Sequence, residues 1–243
     1  GYIIAKGNLK GEEITFKNTS VGATGNTLMA AVKANGTTII NNAAIEPEIS
    51  LLCNFLNKMG AEISGVGTKT LTIRGVTELK SVNSFKIIPD RIEAGTFLIA
   101  TAMTGGSVEL IDVNSNHLKC VLDNLVVAGS EIDISDDNIK INSSKIADEV
   151  YLDRFTHVAE LNRLGANIKL NKNKAYINGV PFLKGAQLMS TDIRASASLI
   201  ISALSAKGIS EISRVYHIDR GYEKIENKFR KLGANIWREL EKE

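Results

Sequence analysis

A four-residue pattern that recurs along the chain constrains its fold more than any other feature. Each copy consists of a glycine, a small residue, an acidic or amide residue, and an isoleucine. The glycines are separated by intervals of 69, 36 and 68 residues. A repeat of roughly 70 residues therefore builds the chain, and one copy is short by roughly 33 residues. The copies begin at Gly60, Gly129, Gly165 and Gly233.

A second landmark marks the start of three units. A polar residue stands 16 residues before a glycine in the pairs Ser20 and Gly36, Asp90 and Gly106, and Asp192 and Gly208. The stretches between them are rich in Ala, Leu and Ile. They predict a first helix over 24–32, 95–103 and 196–203.

The second half of each unit follows one plan. Apolar residues spaced i, i+3, i+4 and i+7 predict an amphipathic helix that ends at the repeated glycine, where a left-handed residue fits best. We expect Cys53 and Cys120 to lie within these stripes and to be buried. Two strands follow the helix in the first three copies, at 62–64 and 71–73, 131–134 and 139–141, and 167–170 and 175–177. The predicted unit is βαβαββ, in the α/β class.

Composition excludes several classes of protein. The formal net charge is +2 over 243 residues, which argues against a surface that wraps nucleic acid. No apolar stretch approaches the about 20 residues that span a bilayer. Two cysteines cannot build the disulfide framework of a secreted protein, so we expect a cytoplasmic location. The chain begins with Gly1 rather than Met, which predicts a processed, cloned or truncated start.

We predict two domains, because residues 84–89 end in a proline where one unit gives way to the next. The first domain covers 1–88 and the second covers 89–243. About half a repeat unit is missing from the second domain near 142–150. Loss of an internal helix there would uncover buried faces, so we expect the chain to be broken in that window rather than continuous.

Acidic residues followed by arginines stand where units or helices are predicted to begin. An aspartate at a helix N-terminus caps it, and an arginine beside it offers a fork for phosphate or carboxylate. For any single pair, a helix cap with a solvated ion pair is the favoured explanation, because exposed ion pairs are common and stabilise little. If the units direct these helix starts toward one centre, the arginines converge on a small anion. The pairs are Asp90-Arg91, Asp153-Arg154, Asp192-Ile193-Arg194 and Asp219-Arg220.

Other polar residues carry weaker signals. Ser20-Val21-Gly22 leaves backbone N–H groups open to a phosphate or sugar oxygen, although it also suits a plain helix cap. The three histidines, His117, His157 and His217, lack the spacing of metal ligands, so we expect structural roles and no metal. We also expect no cofactor, because no Gly-rich nucleotide loop is present.

Five motifs stand out along the chain, SVGAT at 20–24, NAAIEPEI at 42–49, PDRIEAGTF at 89–97, TDIRASA at 191–197 and HIDRGYE at 217–223. Together they are similar to motifs of the UDP-N-acetylglucosamine 1-carboxyvinyltransferase family, the enolpyruvyl transferases of peptidoglycan synthesis. The resemblance runs from the first residues to the last. It implies an inside-out α/β barrel-like enolpyruvyl transferase fold, built of βαβαββ units in two domains.

The resemblance also implies a reaction. The 3′-hydroxyl of UDP-N-acetylglucosamine attacks C2 of phosphoenolpyruvate, and a tetrahedral ketal then loses phosphate. The domain at 1–88 would be part of the UDP-sugar and catalytic domain. The implied location is the bacterial cytoplasm.

Site residues follow from the resemblance position by position. Asp192 resembles an acid near the reacting centre, and Arg220 is grouped with it as catalytic. Arginines 154 and 194 resemble further contacts to the carboxylate and phosphate of phosphoenolpyruvate, and Arg91 resembles an interdomain arginine. The implied contacts to the UDP-sugar are Asn18, Thr19, Ser20, Val21, Gly22 and Val150.

Two parts of the family pattern have no match. A loop with a proton-donating cysteine, and a lysine that holds phosphoenolpyruvate, would precede Gly1. A base that acts on the sugar hydroxyl would lie in the half-unit missing near 142–150. We therefore expect the chain, as it stands, to bind weakly and to catalyse nothing.

Two alternatives stay open. The sister enolpyruvyl transferase that acts on shikimate 3-phosphate shares the implied fold and chemistry. An inactive fragment that retains only nucleotide-sugar binding also fits the sequence.

Overall fold

The computed structural model describes residues 7–144, 158–171 and 174–239. The chain divides into two compact units, Gly1–Ile88 and Pro89–Glu243. No helix within the described ranges is both long and apolar enough to cross a membrane. The predicted break near 142–150 falls largely on residues outside these ranges.

The first unit has the predicted βαβαββ order. Its sheet has the strand order β1-β2-β4-β3, with β1 parallel to β2 and with β4 antiparallel to both of its neighbours. The elements are β1 (Glu13–Thr15), α1 (Val21–Ala31), β2 (Thr37–Asn41), α2 (Pro47–Lys58), β3 (Glu62–Ser64) and β4 (Thr70–Arg74).

Apolar stripes on α1 and α2 form the core of this unit with the sheet. Leu28 of α1 and Cys53 of α2 are fully buried, in one cluster with Ile40, Leu71 and Ile73 from the strands. Helix α2 starts at a proline, whose missing N–H would have no intrahelical partner at that position.

The second unit begins with αβαββ, since the described residues before its first helix form no strand. Its elements are α3 (Arg91–Thr104), β5 (Gly106–Leu110), a 3-10 turn (Ser115–His117), α4 (Lys119–Val127), β6 (Glu131–Ser135) and β7 (Asn138–Ser143). Strand β7 lies between β5 and β6 and is antiparallel to both.

The rest of the second unit holds parts of two further repeats. Strands β8 and β9 pair antiparallel, and β10 and β11 pair parallel. The elements are α5 (Val158–Arg163), β8 (Asn167–Asn171), β9 (Lys174–Asn178), β10 (Gln187–Met189), α6 (Ile193–Ser205), β11 (Glu211–Ser213), α7 (Tyr216–Asp219) and α8 (Ile225–Lys231).

The last helix is shorter than its apolar stripe predicts. The apolar residues before Gly233, which are Tyr222, Ile225, Phe229 and Leu232, predict a helix that starts at Tyr222. Helix α8 starts at Ile225 instead, because Lys224 has a left-handed backbone with φ 45°. Tyr222 instead lies in the preceding turn, where it is 2% exposed and packs with Ile218 and Phe229. This turn is the part of the fold that shapes the candidate site.

The repeated glycines are left-handed, as predicted, with φ values of 100°, 95°, 89° and 92°. In three copies, a side chain three residues before the glycine hydrogen-bonds to the backbone of the isoleucine that closes the motif. Both asparagines accept from the isoleucine N–H and donate to its carbonyl, whereas the arginine donates twice to the carbonyl. The pairs are Asn57 with Ile63, Asn162 with Ile168, and Arg230 with Ile236.

Candidate active site

An open cleft of about 540 Å³ lies within the second unit. It is formed where the starts of α3 and α6 meet the turn that follows α7. Two residues that the sequence analysis singled out as catalytic, Asp192 and Arg220, both line it. The full lining is Asp90, Ile92, Thr191, Asp192, Ile193, His217, Arg220, Gly221 and Tyr222.

The two helix starts at the cleft are fixed by local hydrogen bonds. The Asp90 carboxylate accepts from the N–H groups of Ile92 at 2.8 Å and Glu93 at 3.1 Å, which makes it the predicted cap of α3. At α6, the carbonyl of Asp192 accepts from the N–H of Ser196 at 3.2 Å and from its hydroxyl. Both aspartates are therefore held at the positive ends of long helices.

The position of Arg220 corrects one prediction. Asp219 and Arg220 do not begin a helix: Asp219 is the last residue of α7, and Arg220 follows it as the C-cap. Ile218 and Tyr222, on either side of these two positions, are buried. Arg220 is exposed and has no hydrogen-bond or ion-pair partner in the part of the chain that the structure describes. Its guanidinium is thus available to a ligand in the cleft.

Gly221 sets the distance between this turn and α6. A Cβ on Gly221 would lie 2.3 Å from Cγ2 of Ile193, the first residue of α6. A larger residue would push the turn or the isoleucine away. The glycine in the Asp219-Arg220-Gly221-Tyr222 motif is thus explained by close packing at the cleft.

Tyr222 links the turn to α3. Its hydroxyl lies 2.9 Å from Oγ1 of Thr96, which donates its own hydrogen to the Ile92 carbonyl at 2.9 Å, so the tyrosine is the donor. Lys228 of α8 also forms an ion pair with Glu93 of α3. These contacts fix the turn against the helix that Asp90 caps.

Asp219 is held from the other side of the turn. Arg238 donates to Oδ1 at 2.7 Å and to Oδ2 at 2.8 Å, and it also donates to Glu226 at 3.1 Å. These hydrogen bonds lower the pKa of the Asp219 carboxyl and raise the pKa of the Arg238 guanidinium. Arg238 was not predicted from the sequence, because nothing in the local pattern links residues 19 positions apart.

His217 was also missed as a cleft residue. It lies on α7 three residues before Arg220 and stacks on Tyr216, with ring centroids 4.2 Å apart. The i, i+3 spacing of His217 and Arg220 is a signal that could have placed both on one face.

The remaining predicted residues of the second unit are only partly located. Arg91 is the first residue of α3, beside Asp90 but not among the residues that line the cleft. Arg194 is the second residue of α6, directly after Ile193, which lines the cleft. Val150, Arg154 and His157 lie outside the described residues.

The predicted UDP-sugar residues lie in the first unit, at the start of α1. Ser20 is the N-cap and accepts from the N–H of Ala23 at 3.2 Å. Gly22 is exposed, and a Cβ on it would meet nothing within 4 Å. Val21 is half-buried, and its side chain packs on the core. The cap prediction is confirmed, and the nucleotide contact stays a prediction.

The exposed residues just before Ser20 are held by Asn42. Thr19 Oγ1 donates to Oδ1 of Asn42 at 2.8 Å, and Nδ2 of Asn42 donates to the Phe16 carbonyl at 2.9 Å. Asn42 itself has φ 55°, a left-handed conformation that asparagine tolerates. Asn18 is also exposed, next to these hydrogen bonds. Residues 18–22 thus form a surface segment in which only Val21 is half-buried.

The cysteines differ from each other. Cys53 is buried as predicted, and burial raises the pKa of its thiol to about 11. Cys120 is exposed, so the prediction that it is buried is wrong. It is the second residue of α4, off the stripe of Leu118, Leu122 and Leu125.

Among the described residues, no group of three His, Cys, Asp or Glu side chains could hold a metal ion.

Comparison with known proteins assigns the family. The sequence model of the EPSP synthase (3-phosphoshikimate 1-carboxyvinyltransferase) family matches residues 2–152 and 141–229. The chain belongs to this family. The predicted membership of an enolpyruvyl transferase family is thereby confirmed.

Curated relatives carry a more specific name. UDP-N-acetylglucosamine 1-carboxyvinyltransferase from Chloroherpeton thalassium is 48% identical over 277 residues, which cover 98% of this chain and 64% of the relative. The protein of the same name from Prosthecochloris aestuarii is 47% identical, with coverage of 98% and 65%. The chain thus spans less than two thirds of the length of these relatives. Since 277 aligned positions exceed the chain's 243 residues by 34, the first relative has positions without a counterpart here.

A solved structure supports the fold. The enolpyruvyl transferase NikO from Streptomyces tendae matches with a TM-score of 0.74 at 22% identity, over 88% of this chain and 60% of that one. The predicted enolpyruvyl transferase fold is therefore confirmed.

Proposed function

We propose that this protein transfers the enolpyruvyl group of phosphoenolpyruvate to the 3′-hydroxyl of UDP-N-acetylglucosamine and releases phosphate. The observation that carries the proposal is the cleft that brings Asp192 and Arg220 together. Relatives named for a UDP-N-acetylglucosamine carboxyvinyl transfer, 44% to 48% identical, support this choice of substrates. The proposed setting is the bacterial cytoplasm, in peptidoglycan synthesis, with these two small molecules as the partners.

The cleft suits a small ligand with several negative charges. Arg220 offers an exposed guanidinium without a partner among the described residues, and such a fork binds carboxylate or phosphate through two hydrogen bonds. Helix α6 has 13 residues and starts at the cleft, so its N-terminal dipole adds positive potential there. We assign Arg220 and Arg194 to phosphoenolpyruvate, and Asp192 to orienting an arginine beside the reacting carbon.

The proposed chemistry is an addition followed by an elimination. The sugar oxygen forms a bond to C2 of phosphoenolpyruvate, its proton is lost, and a proton adds to C3. The bond from C2 to the phosphate oxygen then breaks and a proton leaves C3, which restores the double bond. In this proposal, negative charge develops on the carboxylate and phosphate of phosphoenolpyruvate, which the arginines contact. Stabilisation of developing charge by fixed donors makes a large contribution to rate enhancement in enzymes. We assign no proton transfer to the described residues.

We assign the nucleotide to the surface segment 18–22 of the first unit. Helix α1 is 11 residues long, and its N-terminus lies at Ser20 to Gly22. Backbone N–H groups at such a terminus bind phosphate oxygens, and the absence of a side chain at Gly22 permits close approach. Arg91, Arg154 and Val150 complete the proposed set of substrate contacts.

Ligand-induced thermal shifts test the substrate assignment. At 100 times its dissociation constant, a ligand stabilises the folded state by about 2.7 kcal/mol, which for a chain of this length raises Tm by about 5–10 °C. We expect UDP-N-acetylglucosamine to produce such a shift and shikimate 3-phosphate to produce none.

The two alternatives predict different results in the same experiment. A shift with shikimate 3-phosphate alone would favour the sister reaction, which the description of the matched family names. A shift with the UDP-sugar, without phosphate release in a form of the protein that also carries the cysteine loop and the base of the family pattern, would favour a binding fragment. The absence of any shift would contradict the proposed function.

A further inference from the structure

Arg238 closes the turn that carries Arg220. Its guanidinium contacts both carboxylate oxygens of Asp219, the last residue of α7, and one oxygen of Glu226, the second residue of α8. The three cleft residues Arg220, Gly221 and Tyr222 lie between these two acids. One side chain therefore joins both ends of the segment that forms one wall of the cleft.

The position of Arg238 is fixed by its surroundings. Ala234 and Ile236 pack on the core of the second unit, and Arg230 of α8 donates two hydrogen bonds to the Ile236 carbonyl. The Arg238 side chain is 33% exposed, and the Glu226 side chain is 14% exposed. A two-point hydrogen bond from a planar guanidinium in partly buried surroundings restrains orientation as well as distance.

Charge gives a second reason for Arg238 to matter at the cleft. Without it, Asp219 and Glu226, which lie in the helices before and after the turn, would be two uncompensated carboxylates near an anion site. They would repel an anionic ligand, and they would offer Arg220 a partner within the protein. With Arg238 in place, both acids are occupied, and Arg220 remains without a partner among the described residues.

We propose that Arg238 is a positioning residue for Arg220. It fixes the turn and neutralises the neighbouring acids, so that the Arg220 guanidinium stays directed to the anion in the cleft. The inference rests on the proposed function in one respect, namely that phosphoenolpyruvate binds at Arg220.

A double-mutant cycle in the 243-residue chain tests this inference. Phosphoenolpyruvate is titrated by calorimetry, in the presence of UDP-N-acetylglucosamine, into the unchanged chain, R238Q, R220A and R220A/R238Q. We expect R238Q to weaken phosphoenolpyruvate binding by about tenfold in the unchanged background, as contacts within one network do. In the R220A background, we expect no further loss. Affinity for UDP-N-acetylglucosamine should not change.

The matched control is R163Q. Arg163 also forms an ion pair in the second unit, with Glu160 at 3.5 Å, but neither residue lines the cleft. R163Q should leave phosphoenolpyruvate affinity unchanged. If R238Q does not fold, R238K replaces it in the same cycle, because lysine keeps the charge and loses the fork. We expect R238K to lose less affinity than R238Q, again only when Arg220 is present.

The outcomes separate the two claims. If R220A weakens binding and the variants of Arg238 do not, the inference is overturned and the proposed function stands. If the variants of Arg238 reduce phosphoenolpyruvate affinity by the same factor with and without Arg220, then Arg238 does not act through Arg220. The inference is then overturned. If R220A has no effect, the anion site itself is wrong and the inference falls with it.

Discussion

Replacing Arg220 by alanine should separate ligand binding from stability. Arg220 is exposed and has no partner among the described residues, so its removal breaks no contact that the structure shows there. Surface substitutions of this kind change the free energy of unfolding by at most about 0.5 kcal/mol. A hydrogen bond to a charged group contributes about 1.5–3 kcal/mol, so phosphoenolpyruvate affinity should fall by about 10- to 150-fold.

Calorimetry and thermal unfolding on the same samples measure both effects of R220A. In a catalytically competent form of the protein, the same variant should raise KM for phosphoenolpyruvate and lower kcat. The control is Arg74→Ala in the first unit, an exposed arginine whose contact to Glu62 is 3.8 Å long. Equal weakening toward phosphoenolpyruvate and the UDP-sugar would indicate a structural role for Arg220. Unchanged phosphoenolpyruvate affinity in a folded R220A variant would refute its assignment.

Three further predictions concern the first unit and the Asp219 contact. Gly22→Val should weaken UDP-N-acetylglucosamine binding in calorimetry without loss of Tm, because space around its Cβ position is open; undiminished binding would leave only the helix-cap role. Asn57→Ala removes two hydrogen bonds to Ile63 and should lower the free energy of unfolding by about 1–3 kcal/mol in urea titrations, whereas an unchanged midpoint would contradict this. Asp219→Asn should destabilise the protein at pH 7. Because Arg238 lowers the pKa of Asp219 in the folded state, the difference from the unchanged chain should shrink as pH falls below about 3.9, and a constant difference would argue against the ion pair.

The local pattern of the sequence predicted the repeat architecture well. The glycine positions required left-handed backbone, and a polar residue before an apolar run required a cap, so Gly60 and Asp90 were predicted for reasons internal to a few residues. The family resemblance named Asp192 and Arg220, and the structure places both at one cleft. Local backbone requirements therefore predicted the repeat architecture, and the family motifs predicted the two cleft residues.

Contacts between residues that are distant in the sequence could not be predicted. The sequence suggested that Asp219 begins a helix with Arg220, but Asp219 ends one, and its partner is Arg238. The pattern of an acid followed by an arginine does not distinguish the start of a helix from its end. The burial of Cys120 was wrong for a related reason, since the stripe on α4 is narrow and position 120 lies one residue off it.

A structure of the chain with UDP-N-acetylglucosamine and phosphoenolpyruvate bound tests the central claim most directly. We predict that the phosphate or carboxylate of phosphoenolpyruvate lies in the cleft of the second unit, with its oxygens about 2.7–2.9 Å from the Arg220 guanidinium. Asp192 should lie beside the same ligand. Phosphoenolpyruvate bound elsewhere, with the cleft empty and Arg220 in solvent, would contradict the account.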